Sequence, residues 1–321
     1  MDKTLPDLTY SSNAEDGVVR ASNVDPEAPK GGGEFDANFE VVTFTEGKKS
    51  PFNEDAIAVG TKYVVIADGA TDKTGLKFEE DPNTKAYKTG GEIAATIAVA
   101  VAGRSERTGS ALVQEITEEI RGYYSEHNPE ALTDSAYRFA TTMVAARIVG
   151  DRLIVTQVGD SFFRINGTVY ENNKSVDTLR ANERIRKIKD LTRLRPDGKP
   201  TELDIAAGRE AIQDKLNKQH HLQNNVNDPL GYGVLDGSEV PDRFVKVYDF
   251  PLDSITTLEL VSDGYYGAFP DEATVPAWEA IHRHQLETDP YNIGEFPSTK
   301  GSNNGQPGDD RSVIIVRRVA R

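Results

Sequence analysis

Alternating and continuous apolar runs predict two groups of strands along the chain. Residues 39–47 (FEVVTFTEG) alternate well enough for a first strand, and residues 62–68 (KYVVIAD) form a second apolar run. A meander follows in the runs AYRFATTMVAARIVG, RLIVTQVG, FFRIN and TVYEN, with Gly150-Asp151 and Asn166-Gly167 where hairpin turns belong. Strand patterns return near the end, in FVKVYDF, TLELVSDG and SVIIVRRV.

Helical periodicity appears between and after these groups of strands. The runs TGGEIAATIAVAVAGR and TGSALVQEITEEIRGYYSEH predict two helices, each beginning near a Thr or Ser that can cap it. A third helix is predicted at EATVPAWEAIHRHQ. Strand groups with paired helices between and after them predict an α+β layered sandwich in one domain.

Two segments depart from this pattern. Residues 1–38 are rich in Asp, Glu, Pro, Ser and Gly, which predicts a flexible N-terminal extension before a folded domain at 39–321. Residues 175–235 are polar and turn-rich, and we interpret them as an inserted subdomain. Its stretch LRANERIRKIKDLTRLRPDGK has eight basic and three acidic residues, an excess of 8 − 3 = 5. That excess suits either docking of an acidic or phosphorylated substrate or a solvated helix face.

Charge and composition exclude several classes of function. The formal net charge is 37 − 52 = −15, which argues against nucleic acid or an anionic membrane as a general partner. The absence of cysteine excludes disulfides, thiolate zinc sites and a cysteine nucleophile. The N-terminus has no apolar signal core, and the longest apolar stretch, IAATIAVAVAG, is too short to span a bilayer. These features predict a soluble, cytoplasmic protein.

Carboxylates recur where apolar runs begin or end. Each junction alone is compatible with an ordinary turn, but strand ends at one edge of a sheet lie close in space. Carboxylates gathered there repel one another unless a cation neutralises them, and an oxygen-only set suits Mg²⁺ or Mn²⁺ better than zinc. Two such ions bridged by a carboxylate can generate hydroxide for a displacement at phosphorus. The junctions hold Glu54 and Asp55, Asp68, Asp160, Asp263, and Asp309 with Asp310.

Six short motifs occur in a fixed order: NED (53–55), ADG (67–69), GGE (90–92), GDS (159–161), SDG (262–264) and GDD (308–310). The ordered set resembles the 2C-type, metal-dependent protein serine/threonine phosphatases, over roughly residues 40–319. The resemblance implies a four-layer α-β-β-α sandwich of two antiparallel sheets flanked by helix pairs, with residues 175–235 inserted as a flap. It also implies hydrolysis of phosphoserine, phosphothreonine or another phosphomonoester at a binuclear Mg²⁺ or Mn²⁺ centre.

The same resemblance implies a role for each carboxylate. Asp68 would bridge both metals, and the carbonyl of Gly69 would complete one coordination shell. Asp263 and Asp309 would bind the other metal, and a water between the metals would be the nucleophile. The implied metal ligands are Glu54, Asp55, Asp68, Gly69, Asp160, Asp263 and Asp309, with Glu54 and Asp55 binding directly or through water. Asp160 matches the position that, together with Asp263, can bind a weaker third metal. The implied catalytic residues are Asp55, Asp68 and Asp263.

Two positions depart from the family pattern. The family usually has a phosphate-binding arginine five residues before the aspartate of its first motif, and here that residue is Ser50. We therefore expect Lys49, or else Lys48, to contact the substrate phosphate with a single-point charge. The last motif has Asp310 where asparagine is usual.

Other functions remain open on the sequence alone. The substrate is either a phosphoprotein or a small phosphoester. The GDS motif also resembles that of a family of serine esterases, in which Ser161 would be the nucleophile. Those esterases have an Asp-x-x-His motif late in the chain, and here Glu279 stands before His282 in place of the aspartate. A catalytically silent phosphatase-like binding module is disfavoured because Asp68, Asp263 and Asp309 are all present.

Overall fold

The computed structural model describes residues 19–20, 38–48, 53–71, 78, 87–193, 195–265, 269–301 and 308–319. Its strands are β1 (Val19–Arg20), β2 (Phe39–Glu46), β3 (Asp55–Gly60), β4 (Tyr63–Asp68), β5 (Met143–Val149), β6 (Arg152–Val158), β7 (Phe162–Ile165), β8 (Thr168–Tyr170), β9 (Lys246–Pro251), β10 (Thr257–Val261) and β11 (Arg311–Arg318). Its helices are α1 (Gly90–Arg104), α2 (Gly109–His127), α3 (Ser175–Thr192), α4 (Glu202–Asn217) and α5 (Val275–Thr288).

The strands form two antiparallel sheets. The first has the order β3-β4-β5-β6-β9, and the second has the order β1-β2-β11-β10-β7-β8. Their facing sides share one apolar core, in which Ile66 of the first sheet and Phe163, Leu260 and Ile314 of the second are fully or almost fully buried. Alternation along each strand directs these side chains inward.

Helices cover the outer faces of both sheets. On the first sheet, α1 and α2 bury Ile97 and Ile116 against Val65. On the second sheet, α5 buries Trp278, whose indole Nε1 donates to Glu259 Oε2 over 2.8 Å. The layers therefore run helix, sheet, sheet, helix, and the predicted α+β four-layer sandwich is confirmed. Among the described residues, no helix has both the length and the apolar character needed to cross a membrane.

The insert (residues 175–235) contains an antiparallel pair of helices, α3 and α4, that pack on each other. The sequence interpretation missed α4, although Thr201 and Asp204 form a capping box at its first turn. Cations of the basic stretch serve the fold here: Arg195 pairs with Asp204 over 2.7 Å, and Arg184 is buried. The predicted N-terminal extension, residues 1–38, lies almost wholly outside the described residues. Its boundary, and the boundaries of the insert at 175 and 235, stay predictions.

Candidate metal centre

The carboxylate junctions come from both sheets. In the first sheet, Asp55 at the start of β3 lies directly opposite Asp68 at the end of β4. In the second sheet, Asp263 follows β10 and Asp309 precedes β11, its antiparallel neighbour. The hydroxyl of Ser262, the residue before Asp263, donates to Asp55 Oδ2 over 2.8 Å, which joins the two sheets at this edge. Asp55, Asp263 and Asp309 all act electrostatically on Asp68, so the four carboxylates belong to one edge of the sandwich.

Glycines hold the backbone around this edge because no side chain would fit. A Cβ on Gly69 would lie 2.5 Å from the carbonyl of Gly91 and 2.6 Å from that of Glu54. A Cβ on Gly264 would lie 2.0 Å from the carbonyl of Asp310. Backbone atoms cannot yield as a flexible side chain can, so the glycines of the ADG, GGE and SDG motifs are required by close approach.

Burial and mutual repulsion both oppose ionisation of these acids. Burial raises the pKa of Asp68 well above its usual range, and the charges of Asp263, Asp55 and Asp309 raise it further. Burial likewise raises the pKa of Asp55 to about 7, against the hydrogen bonds that it receives from Ser262 and Ser312. The edge therefore concentrates negative charge that a cation would stabilise.

Among the described residues, two carboxylate oxygens at this edge are buried and have no hydrogen-bond partner. They are Oδ1 of Asp55 and Oδ1 of Asp263. Unpartnered buried anionic oxygens are costly, and an oxygen-only donor set of this kind fits a hard divalent cation such as Mg²⁺ or Mn²⁺. Within the described ranges, no three acidic or histidine side chains already converge closely enough to enclose an ion. The donor chemistry fits a metal, while the ligand roles stay predictions.

Two lysines supply positive charge among the acids. The Nζ of Lys48 lies 3.0 Å from Glu54 Oε2, 3.3 Å from Asp310 Oδ2 and 3.7 Å from Asp309 Oδ1. The ammonium of Lys300 donates to Asp309 Oδ2 and also lies within the electrostatic influence of Asp263 and Asp68. Both lysines therefore remain charged, because the carboxylates raise their pKa values although burial opposes this.

The side chain of Asp310 joins the start of β11 to the loop before β3. It accepts hydrogen bonds from the backbone N–H of Lys48 over 2.7 Å and of Glu54 over 3.1 Å. Glu54 is held at its other end by Thr89, whose hydroxyl donates to Glu54 Oε1 over 2.7 Å while also capping α1. The aspartate that departs from the family pattern thus positions this loop.

Asp160 lies in a different environment. Its Oδ1 is 2.7 Å from the Nζ of Lys174, which also stands over the ring of Tyr232 at 5.3 Å. Asp160 therefore has a protein cation beside it, and its part in a third metal site stays a prediction. Lys49 and Ser50 lie outside the described residues, so the contact of Lys49 with phosphate also stays a prediction.

The residues of the esterase interpretation are differently engaged. The Oγ of Ser161 is fully buried and lies 2.6 Å from Thr142 Oγ1. His282 lies on α5 beside the ring of Tyr265, and burial, with the nearby Arg311, lowers its pKa to about 4. In the described part of the chain, the Ser161 hydroxyl is thus hydrogen-bonded to another hydroxyl and not to the imidazole that a serine esterase would need.

Sequence reasoning missed Lys174 and Lys300 as partners of the acidic residues. Neither lies in one of the six motifs, and Lys300 follows a Gly/Pro/Asn-rich segment without strand or helix periodicity. For Lys300 the only signal was a positive charge 308 − 300 = 8 residues before the GDD motif, which is common in exposed loops. Lys174 comes 174 − 161 = 13 residues after the GDS motif, and nothing in the sequence marked it.

Comparison with known proteins identifies what the chain is similar to. A sequence profile for protein phosphatase 2C matches residues 47–292, more than half of the chain. No curated protein sequence matches significantly. Among solved structures, the serine/threonine phosphatase PstP/Ppp of Mycobacterium tuberculosis aligns at 17% identity over 88% of this chain and 99% of that chain, with a TM-score of 0.46. The serine/threonine phosphatase Stp1 of Staphylococcus aureus aligns at 14% identity over 88% and 96%, with a TM-score of 0.48.

Proposed function

The chain belongs to the protein phosphatase 2C family, and on that basis we propose that it is a metal-dependent phosphomonoester hydrolase acting on phosphoserine and phosphothreonine in proteins. The observation that carries the proposal is the gathering of Asp55, Asp68, Asp263 and Asp309 at one edge of the sandwich. Asp55 and Asp309 are buried, and Asp68 and Asp263 are half-buried. Four acids that repel one another in this way suit a cation-dependent reaction.

The proposed ligands are the seven residues that the family pattern implies. When bound, Mg²⁺ or Mn²⁺ would lower the pKa of a water and polarise a phosphoryl oxygen. Asp68 would contribute to both cations of a pair, since Asp55 faces it across the strands and Asp263 and Asp309 lie across the sheet junction. The ligand set is Glu54, Asp55, Asp68, the carbonyl of Gly69, Asp263 and Asp309, with Asp160 toward a weaker third ion.

Lysines would hold the substrate phosphate. Lys49 remains our proposal for this contact, with Lys48 as the alternative. The position of the Lys48 ammonium among Glu54, Asp309 and Asp310 supports a cation on this loop that reaches the centre. A lysine binds phosphate as a compact charge, so loss of the contacting lysine should raise KM more than it lowers kcat.

The test is release of phosphate from p-nitrophenyl phosphate and from a phosphothreonine peptide, with and without added Mn²⁺. We expect activity on both substrates with Mn²⁺ and none after chelation and dialysis. Activity on the small ester alone would assign a small-molecule phosphatase of the same fold. Full turnover after metal removal would refute the proposed metal centre.

Three variants sharpen the assignment. Asp68→Asn should abolish turnover, because the residue contributes to the whole centre and not to one ligand position. Asp253→Asn, an exposed acid after β9, is the matched control and should keep the parent rate. Ser161→Ala should also retain phosphatase activity. Labelling of Ser161 by a fluorophosphonate, with hydrolysis of carboxyl esters, would instead favour the esterase.

A further inference from the structure

A cavity of about 240 Å³ lies where the insert joins the first sheet. Residues at or just before the start of the insert (172–175) and near its end (229 and 231–233) line it. Arg243, Phe244 and Lys246, the first residue of β9, also line it. Among its lining residues are Lys174, Arg243 and Lys246, and none of them is Asp or Glu. A cavity with three cations and no acid is unusual in a chain whose formal net charge is −15.

Two of these cations have no acidic partner among the described residues. The guanidinium of Arg243 donates to the carbonyl of Asn225 over 3.2 Å and stands 4.5 Å from the ring centre of Phe244. The Nζ of Lys246 donates to the carbonyl of Arg243 over 3.2 Å. The carbonyls hold the two charged groups in place. Because both residues are exposed, their charges remain available to an anion from solution.

The third cation connects the cavity to the carboxylate edge. Lys174 pairs with Asp160 and lies within the electrostatic influence of Asp263. Gly159 lines the cavity and immediately precedes Asp160. Hydrogen bonds also connect Ser161 to Asp68. The hydroxyl of Ser161 is hydrogen-bonded to that of Thr142, and the N–H of Thr142 donates to the carbonyl of Asp68. The cavity thus adjoins Asp160 and is connected to the carboxylate edge through Lys174.

We propose that the cavity binds a carboxylate side chain flanking the phosphorylated residue of the substrate, with Arg243 and Lys246 as its specificity-determining contacts. The volume admits an Asp or Glu side chain but not a folded element. The proposal deepens the proposed function, on which its substrate assignment rests. It also differs from docking on the basic stretch of the insert, where Arg180, Arg184 and Arg195 are engaged within the protein.

The experiment compares phosphothreonine peptides that are identical except for the flanking residues, which are acidic in one set and Ala or Gln in the other. The parent protein with Mn²⁺ should show a kcat/KM about fivefold higher for the acidic peptides, the size expected for two exposed ion pairs. The double variant Arg243→Gln/Lys246→Gln should lose this preference and keep its kcat/KM for p-nitrophenyl phosphate, which has no flanking group. Added salt should reduce the preference of the parent.

The matched control is Arg121→Gln/Arg283→Gln, which removes the same charge from exposed positions on α2 and α5 outside the cavity. It should retain the preference for acidic peptides. Equal rates on the two peptide sets, or a preference that survives in the cavity variant, would overturn the proposal. So would an equal loss in the control, because that result would indicate a general effect of net charge.

A binding measurement separates this inference from the proposed function. Fluorescence anisotropy with a labelled acidic phosphopeptide reports the cavity without turnover. If no phosphoester is hydrolysed, the proposed function fails, and weaker peptide binding by the cavity variant than by the control would still support the anion-binding cavity. If p-nitrophenyl phosphate is hydrolysed but both variants bind the peptide equally, the cavity proposal fails alone.

Discussion

Lys300 holds a single positive charge against Asp309 at the carboxylate edge. The main chain just before it is fixed, because Arg209 donates to the carbonyl of Thr299 over 2.7 Å and Arg184 to that of Ser298 over 3.2 Å. Its ammonium and a divalent cation would use the same carboxylate oxygens. Lys300 would therefore weaken the binding of a metal at this edge.

At this residue we predict that Lys300→Met tightens Mn²⁺ binding about fivefold, because a competing charge is removed from Asp309. Isothermal titration calorimetry measures the affinity directly and does not depend on turnover. Lys199→Met removes the same charge from an exposed loop and should leave the affinity nearly unchanged. Unchanged or weaker binding by Lys300→Met would show that its ammonium does not compete with the metal.

The carboxylates of the edge could be anticipated from the sequence, but Lys174 and Lys300 could not, and neither could the acidic partners of Lys48. An Asp-Gly pair after an apolar run predicts an aspartate at the end of a strand, because the strand and the turn are both determined by residues close together in sequence. The positions of Lys48, Lys174 and Lys300 depend on contacts with residues far away in the chain. Lys48 reaches Asp310, for example, which is 310 − 48 = 262 residues later.

At the scale of elements, the start of α1 is fitted closely against the turn after β4. A Cβ on Gly91 would lie 2.5 Å from the carbonyl of Ala70 and 3.0 Å from Glu54 Oε1. Gly122, inside α2, has open space in the corresponding direction. Substitution by alanine should therefore destabilise the protein at Gly91 and stabilise it at Gly122.

We predict that Gly91→Ala lowers the free energy of unfolding by about 2 kcal/mol, since the clash is with backbone. Gly122→Ala should raise it by about 0.5 to 1 kcal/mol, through helix propensity alone. Urea unfolding followed by circular dichroism measures both values. A neutral Gly91→Ala would mean that α1 can shift away from the turn without cost.

The acid sensitivity of α5 gives a second prediction at this scale. Burial, with Arg311 nearby, lowers the pKa of His282 from 6.5 to about 4, although Glu279 opposes this. Between those values the unfolded chain binds a proton that the folded chain does not, so the free energy of unfolding falls as the pH falls from about 6.5 to about 4.

His282→Gln should therefore lose less thermal stability than the parent between about pH 7 and about pH 5. His284 lies on the same helix but is exposed, and His284→Gln should keep the parent's acid sensitivity. Differential scanning fluorimetry at the two pH values compares the three proteins. An identical loss of Tm in all three would exclude His282 as the source.

Most elements follow from local patterns, and the exceptions have local explanations. Thr89 caps α1 as its position predicts, but Thr108 makes no side-chain bond at the start of α2. The helix α4 was missed because its apolar positions are few among charged residues, although its capping box was visible in Thr201 and Asp204.

At the scale of the whole molecule, Arg184 joins the insert to the loop after α5. Arg184 is 1% exposed, and its guanidinium donates to the carbonyls of Tyr291, Asn292 and Ser298 over 3.0 to 3.3 Å. Charge-assisted bonds to three backbone acceptors fix the loop that carries Lys300. No sequence pattern indicated this contact, because a basic residue in a basic helix predicts a solvated face.

We predict that Arg184→Met lowers the free energy of unfolding by about 3 kcal/mol, because buried carbonyls lose a charged donor. Arg186→Met, at an exposed position on the same helix, should change it by less than about 0.5 kcal/mol. Urea unfolding gives both values, and limited proteolysis should cut residues 289–301 faster in Arg184→Met alone. Equal stability of the two variants would contradict this role of Arg184.

The pairing of β2 with β11 has a consequence for how the protein is made. Val41 pairs with Val316, which the ribosome adds 316 − 41 = 275 residues later. The second sheet therefore lacks its middle strand until nearly all of the described chain has emerged, and Asp309 arrives with that strand. Contacts this distant in sequence slow folding and leave strand edges exposed in the nascent chain. The carboxylate edge is thus completed last, so that a partly synthesised chain cannot present the assembled site.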